Sequence, residues 1–232
     1  MASEYTAQSL PKRQENADGI TYQNMFWLFM LGNVAGVLLE GVWCFARFRR
    51  WESHVVTVWG PFCLIYGVGV VILYIAAAKL KQYNVAVRFL AVALILDAVE
   101  YFCGWLIDAG LGMKAWDYSN EFLNVKGRIC FWMTLLWGTA GLLFARFCMP
   151  ACQKLFRKLR GHGWKIACTA LSAFMIVNLA VTATAMVRWS ARHENIAPST
   201  YVGQLADRHF NDEFMQTRFM EWSFIESYGQ NA

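Results

Sequence analysis

Five long apolar runs constrain this chain more than any other feature of its sequence. They contain 17 to 24 residues each and together hold only three charged side chains, Glu40, Asp97 and Glu100. A helix needs about 20 residues to cross roughly 30 Å of hydrocarbon. We therefore expect an all-α, multi-pass transmembrane helical bundle with about five spans. The predicted spans are residues 25–46, 55–78, 89–107, 129–145 and 166–187.

The composition of the 232 residues excludes several other classes of protein. Only 16% of the residues are charged, against roughly 25% in an average soluble domain. The sequence contains no G-x-x-x-x-G-K-[ST] phosphate loop, no H-E-x-x-H motif and no C-x-x-C pair, so we expect no bound metal or other cofactor. The seven cysteines lie mostly within the apolar runs and are interpreted as small hydrophobic residues.

An odd number of spans divides the polar segments between two sides of the membrane. Side A comprises the N-terminal segment 1–24, residues 79–88 and residues 146–165. Side B comprises residues 47–54, residues 108–128, Arg188 and the tail, residues 189–232. Side A carries 11 lysines and arginines and side B carries 8 close to the spans. The positive-inside rule therefore predicts that side A, with the N-terminus, faces the cytoplasm.

The net charge of +5 is concentrated on side A. A basic membrane face attracts anionic lipid headgroups, so membrane lipids are expected partners and nucleic acid is not. On side B, the polar tail carries Phe210, Phe214, Phe219 and Trp222 at near-helical spacing. This pattern predicts either an amphipathic surface helix or a partly disordered segment. The membrane domain itself is expected to cover residues 25–188.

Carboxylates recur along the first and third predicted spans. Asp97, Glu100 and Asp108 follow one another at helical spacing, so they share one face of the third helix. In the first span, Glu40 follows Gly36 by four residues, and small residues at this spacing let a second helix approach closely. A charged side chain in a membrane costs several kcal/mol unless it is paired or hydrated. Both carboxylate faces are therefore expected to point into the bundle.

Further polar and aromatic residues gather at the side B ends of four consecutive spans. Tyr66 lies near the start of the second span, and Arg128 lies just before the fourth. We expect Arg128 to reach Glu40, Glu100 or Asp108. A pair between Arg128 and Glu100 could be a structural ion pair or part of a substrate clamp. Because ionisable residues at membrane depth often mark functional sites, a binding cavity is predicted at this end of the bundle.

Several short motifs carry these residues. They are Gly36 with Glu40 and Trp43, Gly60-Pro61-Phe62-Cys63 with Tyr66-Gly67, Glu100-Tyr101, Trp116-Asp117-Tyr118-Ser119, Asn124 with Gly127-Arg128-Ile129-Cys130, and Trp137-Gly138. In these motifs the chain resembles a bacterial family of ABC-transporter permeases, the CmpB-like or type IV group. The resemblance runs from about Met25 to Pro150.

The chain departs from the family pattern in three places. Asp108 stands where the family usually has glutamate, and Leu64 replaces a usual proline. Residues 54–56, His-Val-Val, stand where the family has Asn-Arg-Gly. If the family's arginine helps to bind a solute, an arginine of residues 47–50 would have to replace it here.

The resemblance implies a permease-like protein of the bacterial plasma membrane that binds or moves a small polar or ionic solute. A separate ATPase subunit or further copies of the chain are the implied protein partners. Two alternatives stay open, an intramembrane enzyme acting on a lipid or small molecule, and a membrane scaffold that transports nothing. The enzyme is disfavoured because no histidine accompanies the carboxylates. The predicted solute-binding residues are Glu40, Tyr66, Glu100, Asp108, Trp116, Asp117, Tyr118, Asn124 and Arg128.

Overall fold

A computed structural model describes residues 19–51 and 53–225. Most of the predicted N-terminal polar segment and the last seven residues of the tail lie outside the described residues. The described residues form seven α-helices and two strands of two residues each. The helices are α1 Tyr22–Phe48, α2 Leu64–Lys79, α3 Val85–Leu111, α4 Phe131–Lys158, α5 His162–His193, α6 Tyr201–His209 and α7 Asp212–Arg218.

Four of these helices, α1, α3, α4 and α5, are long and apolar enough to cross a membrane. At 1.5 Å per residue, the 27 residues of α1 and of α3 extend about 40 Å. The apolar helix α2 has 16 residues and extends about 24 Å, less than the hydrocarbon thickness. The prediction of an all-α membrane bundle is confirmed, with one of the five apolar segments shorter than a full span.

The second predicted span begins as a loop. Residues 55–63 precede α2 without helical structure, where Gly60 has a positive φ of 75° and Pro61 has no backbone N–H to donate. The loop is held by α5, because the Thr182 hydroxyl accepts from the backbone of Val58 at 3.0 Å and the Asn178 amide donates to the Trp59 carbonyl at 2.9 Å. These bonds satisfy backbone groups that a helix would have satisfied itself.

Helix α4 extends beyond its predicted span, 129–145, on side A. A π-helical segment, Phe144–Cys148, interrupts it just before Pro150. Proline cannot donate the helical hydrogen bond to the preceding turn, and a widened turn accommodates this loss. The last turns are amphipathic and bury Phe156, whose ring contacts the ring of Tyr74 in α2 at a centroid distance of 5.3 Å.

The bundle is built from two closely packed helix pairs, α1 with α2 and α3 with α4. Glycines make both contacts close. A Cβ atom on Gly36 of α1 would overlap the Tyr66 side chain, and one on Gly138 of α4 would overlap the Phe89 ring. A buried apolar cluster joins the two pairs on the side A half of the bundle, with Tyr74 and Leu96 among its members.

The tail packs against the side B end of the bundle. A second buried cluster combines Val58, Met113, Trp189, Met215 and Phe219, which come from loops, from α5 and from the tail. The strand β1, Met113–Lys114, pairs antiparallel with β2, Ser223–Phe224. Of the two alternatives for the tail, helical structure is the one found through residue 218. These helices are docked on the protein as well as amphipathic.

Candidate functional site

The first half of the candidate site lies between α1 and α2. The Tyr66 hydroxyl donates a hydrogen bond to Glu40. Gly36 lies one turn before Glu40 and directly against the Tyr66 side chain, so its missing side chain permits this approach. The predicted glycine face of α1 therefore brings Tyr66 to Glu40.

The second half lies between α3, α4 and the loop that connects them. Glu100 of α3 is 4% exposed. One of its carboxylate oxygens accepts from the Tyr118 hydroxyl at 3.0 Å, and the other accepts from the Trp137 indole at 2.8 Å. Both donors are neutral groups, so neither of them would compensate a negative charge on this carboxylate.

Tyr118 connects the two halves electrostatically. Burial raises the pKa of Tyr118 above its ordinary value, and the charge of Glu100 and the hydrogen bond to it raise that pKa further. The charge of Glu40 contributes in the same direction. Glu40 and Glu100 therefore both act on this one hydroxyl, which stays protonated and continues to donate.

Arg128 forms a separate group with α3. One guanidinium nitrogen donates to Asp108 at 2.6 Å, and the other terminal nitrogen donates to the Tyr101 hydroxyl at 3.2 Å. The guanidinium carbon also lies 5.2 Å from the centre of the Tyr101 ring. The indole of Trp116 donates to the backbone carbonyl of Arg128 at 2.9 Å, which orients the segment that carries the arginine.

This arrangement decides among the predicted partners of Arg128. Of the three expected partners, Asp108 is the one that Arg128 binds, and the oxygens of Glu100 accept from Tyr118 and Trp137 instead. Asp108 lies two turns further along α3, closer to the loop from which Arg128 extends. The space beside Arg128 and Asp108 is about 10 Å³, which is about the room for one water molecule.

The loop residues Asp117 and Asn124 organise the loop itself. Asp117 accepts from Lys114 at 2.7 Å and from the backbone of Ser119 at 2.9 Å. Burial opposes the charge of Asp117, but these hydrogen bonds outweigh it and hold the pKa of the carboxyl below its ordinary value. Asn124 accepts from the backbone of Gly127 at 3.1 Å, where a positive φ of 66° turns the chain toward Arg128.

Asp97, the third charged residue within the apolar runs, lies apart from these contacts. It is 6% exposed and accepts from the Thr134 hydroxyl of α4 at 2.7 Å. Its second carboxylate oxygen is buried without a hydrogen-bond partner among the described residues. Asp97 and Thr134 link α3 to α4 one turn deeper than Glu100.

Several contributing residues were not among the predicted site residues. Trp137 and Tyr101 belong to the family motifs, but the sequence did not predict their partners. The Trp137 indole donates to Glu100, and the Tyr101 hydroxyl accepts from Arg128. Asn178 and Thr182 are buried polar residues of α5. Because they are uncharged, the distribution of charged residues along the apolar runs does not reveal them. Arg218 of α7 donates to the backbone carbonyls of Thr57 at 2.9 Å and of Gly60. The arginine that contacts the loop before α2 thus comes from the tail, whereas Arg47, Arg49 and Arg50 are exposed.

No metal centre is evident in the described part of the chain. Residues 19–51 and 53–225 contain no group of three or more histidine, cysteine, aspartate or glutamate side chains placed to hold a metal ion. The side chains gathered at the candidate site include carboxylates, tyrosine hydroxyls and one arginine.

The fold and this cluster define a multi-pass helical membrane protein with ionisable groups at one end of its bundle. A family model described as "Putative ABC-transporter type IV" matches residues 27–183, well over half of the chain. The chain belongs to this family, whose description indicates a component of an ABC transporter. The match extends the resemblance beyond Pro150 into α5 and ends before α6. Neither a curated protein nor a solved structure matched the chain.

Proposed function

We propose that the chain is a permease-like membrane component that binds a small solute carrying positive charge, or a proton, between Glu40 and Glu100. The solute is small and polar or ionic, as the resemblance implies, and its charge is inferred from the site. Tyr66 and Tyr118, which donate to the two carboxylates, are the hydroxyl groups that orient it.

The observation that carries the proposal is that neither carboxylate has a cationic partner within residues 19–51 and 53–225. Among the described residues, no lysine or arginine forms an ion pair with Glu40 or with Glu100, and their hydrogen-bond donors are two tyrosines and one tryptophan. Keeping a carboxylate charged at membrane depth costs several kcal/mol. A bound cation or proton would remove this cost.

Arg128 and Asp108 have a different role in this proposal. They neutralise each other at 2.6 Å, so Asp108 is not a second cation site but the counter-ion of Arg128. Trp116, Asp117 and Asn124 hold the loop that carries Tyr118 and Arg128. The gap beside Arg128 has room for about one water. A larger solute would therefore pass this point only if the loop moved.

We further propose that a separate ATPase subunit drives transport. The 232 residues contain no phosphate loop, so the chain supplies no recognisable nucleotide site. The excess of lysine and arginine on side A favours a cytoplasmic location for that side in a bacterial plasma membrane. The carboxylate site would then open from the opposite, outer side.

A thermal-shift assay on the purified protein tests the proposal. The probes are sodium, potassium, magnesium, choline and spermidine as chloride salts at constant ionic strength, together with a pH series. A cation at about 100 times its Kd stabilises the folded protein by about 2.7 kcal/mol. We expect Glu40→Gln and Glu100→Gln to abolish this stabilisation and the exposed-site control Glu213→Gln to retain it.

Two results would contradict the proposal. One is a cation-induced stabilisation that survives in both glutamine variants. The other is solute flux in proteoliposomes that stays unchanged in Glu100→Gln, since the carboxylate would then carry no part of the binding.

A scaffold without transport activity is the second candidate function. It is favoured by the internal partners of Arg128, Asp117 and Asn124, which need no ligand to be satisfied. For a scaffold, Arg128→Ala lowers thermal stability and no cation stabilises the wild type. A cation-dependent shift in the wild type therefore separates the two candidates.

A further inference from the structure

A second cavity lies between α5, α6 and the loop before α2, away from the carboxylates. Its volume is about 680 Å³, within the range of roughly 300–1,000 Å³ that is usual for ligand pockets. Val181 and Thr184 form one wall, Val202 and Leu205 form the other, and Val58 closes one end.

Apart from His209, the lining offers little to a polar ligand, because the Thr184 hydroxyl and the backbone of Trp59 are already bonded. The Thr184 hydroxyl donates to the carbonyl of Ala180 at 2.9 Å. The backbone N–H of Trp59 donates to Asn178 at 3.3 Å, and its carbonyl accepts from Asn178 at 2.9 Å. Apolar cavities of this kind do not hold water well but bind apolar molecules.

Exposed apolar side chains of α5 lie one turn from the cavity. Ile176 and Val177 of α5 are 69% and 54% exposed, and they precede the cavity wall by one turn. These side chains face lipid if α5 crosses the bilayer, as its length and hydropathy allow. A hydrocarbon chain can therefore enter the cavity along α5 without crossing a polar barrier.

The opposite wall is held firmly in place. Arg188 of α5 binds Asp207 of α6 at 2.8 Å, and Arg192 binds the same carboxylate. The basic residues Arg208 and His209 end α6, and His209 lines the cavity. Basic groups beside an apolar slot suit an anionic headgroup above its acyl chain.

We propose that this cavity binds one acyl chain of an anionic bilayer phospholipid, with the headgroup beside Arg208 and His209. The site is separate from the carboxylates and does not depend on the proposed solute. Its ligand is supplied by the membrane, so the cavity is occupied whenever the protein is in a bilayer containing that lipid.

The test uses the full chain in lipid nanodiscs that contain phosphatidylglycerol with a photoreactive diazirine near the end of one acyl chain. Cross-links are located by peptide mass spectrometry. We expect them to concentrate on residues 58–59, 180–184 and 202–206. Ala180→Trp fills the cavity from α5, and Val202→Trp fills it from α6. Each should reduce labelling of these segments about fivefold or more, because the acyl chain loses its buried contacts.

Ile166→Trp is the matched control, since Ile166 is exposed on the same helix but lies outside the cavity lining and more than two turns from the entry path. It should leave the labelling unchanged. Both cavity positions are exposed, so the variants are expected to fold, and their elution as single species is checked before labelling. Labelling that follows exposed area along α1 and α3 would overturn the proposal. Wild-type labelling in both Ala180→Trp and Val202→Trp would overturn it as well.

Discussion

Tyr118 donates its hydroxyl to Glu100 at 3.0 Å, so a residue of the α3–α4 loop caps a carboxylate buried in α3. The contact ties the position of the loop to the charge state of a group at membrane depth. Together with the hydrogen bond from Tyr66 to Glu40, it gives Glu40 and Glu100 one tyrosine donor each.

Removing the Tyr118 hydroxyl should destabilise the protein. Tyr118→Phe leaves Glu100 with the Trp137 indole as its remaining donor. A hydrogen bond to a charged group contributes about 1.5–3 kcal/mol, so we expect a lower midpoint of thermal denaturation in detergent. Tyr83→Phe is the control, because the Tyr83 side chain is half exposed between α2 and α3. Equal midpoints for the two variants would show that the hydroxyl contributes nothing to stability.

The ion pair of Arg128 and Asp108 should behave as a coupled unit. The two side chains are 15% and 31% exposed, so solvent weakens the pair relative to a fully buried one. We expect Arg128→Ala to cost about 1–3 kcal/mol of stability. In a double-mutant cycle with Asp108→Ala, the coupling should be about 1–2 kcal/mol. Strictly additive effects would indicate that the two residues act independently.

A side chain at Gly36 should force α1 and α2 apart. A Cβ atom there would overlap the Tyr66 ring, and overpacking of this kind costs about 1–3 kcal/mol. Gly36→Ala should therefore lower thermal stability. Gly69→Ala of α2 is the matched control, because nothing lies within 4 Å of its added Cβ. A helical glycine replaced by alanine without a clash should be neutral or stabilising by up to about 1 kcal/mol.

Docking of the tail should weaken in acid. Burial opposes the charge of Asp207, but hydrogen bonds from Arg188 and Arg192 outweigh it and lower the pKa of Asp207 below the ordinary value of 3.8. A lowered pKa in the folded state stabilises it above pH 4 or so, and this stabilisation is lost as the pH falls through the folded-state pKa. Hydrogen exchange of α6, corrected for the intrinsic pH dependence of amide exchange, should accelerate below about pH 4.

Asp207→Asn supplies the comparison for this prediction. It should accelerate exchange of α6 already at neutral pH and remove most of the acid-dependent increase. An acid response of the same size in Asp207→Asn would assign the effect to other groups. Glu213→Gln, an exposed change in α7, should leave the wild-type profile intact.

The helices were largely predictable because the membrane imposes a simple rule on sequence. An apolar run of about 20 residues has few alternatives to a spanning helix. Helices α1, α3 and α5 each contain one of the predicted runs, and α4 contains all but the first two residues of another. The run at 55–78 was predicted too long because Gly60 and Pro61 are apolar enough to extend it. Whether they interrupt the helix depends on partners such as Asn178 and Thr182, which lie more than a hundred residues away.

Several of the predicted site residues contact one another in the structure, but the sequence did not predict which contacts they make. The four-residue spacing of Gly36 and Glu40 correctly indicated a close helix contact, which Tyr66 makes. The choice of Asp108 over Glu100 as the partner of Arg128 was not predictable. It depends on how far the loop carries Arg128 along α3, and the turn at Gly127 sets that distance. The role of these residues in solute binding stays a prediction.

The sequence by itself determined that the chain is a helical membrane bundle and that its ionisable residues gather on side B, because hydrophobicity and helical period are local properties. Only the tertiary structure decided which donor each carboxylate receives. It also decided that the tail docks on the bundle through Arg218, Met215 and Phe219. These outcomes depend on distances between segments far apart in the chain, and local sequence patterns do not encode such distances.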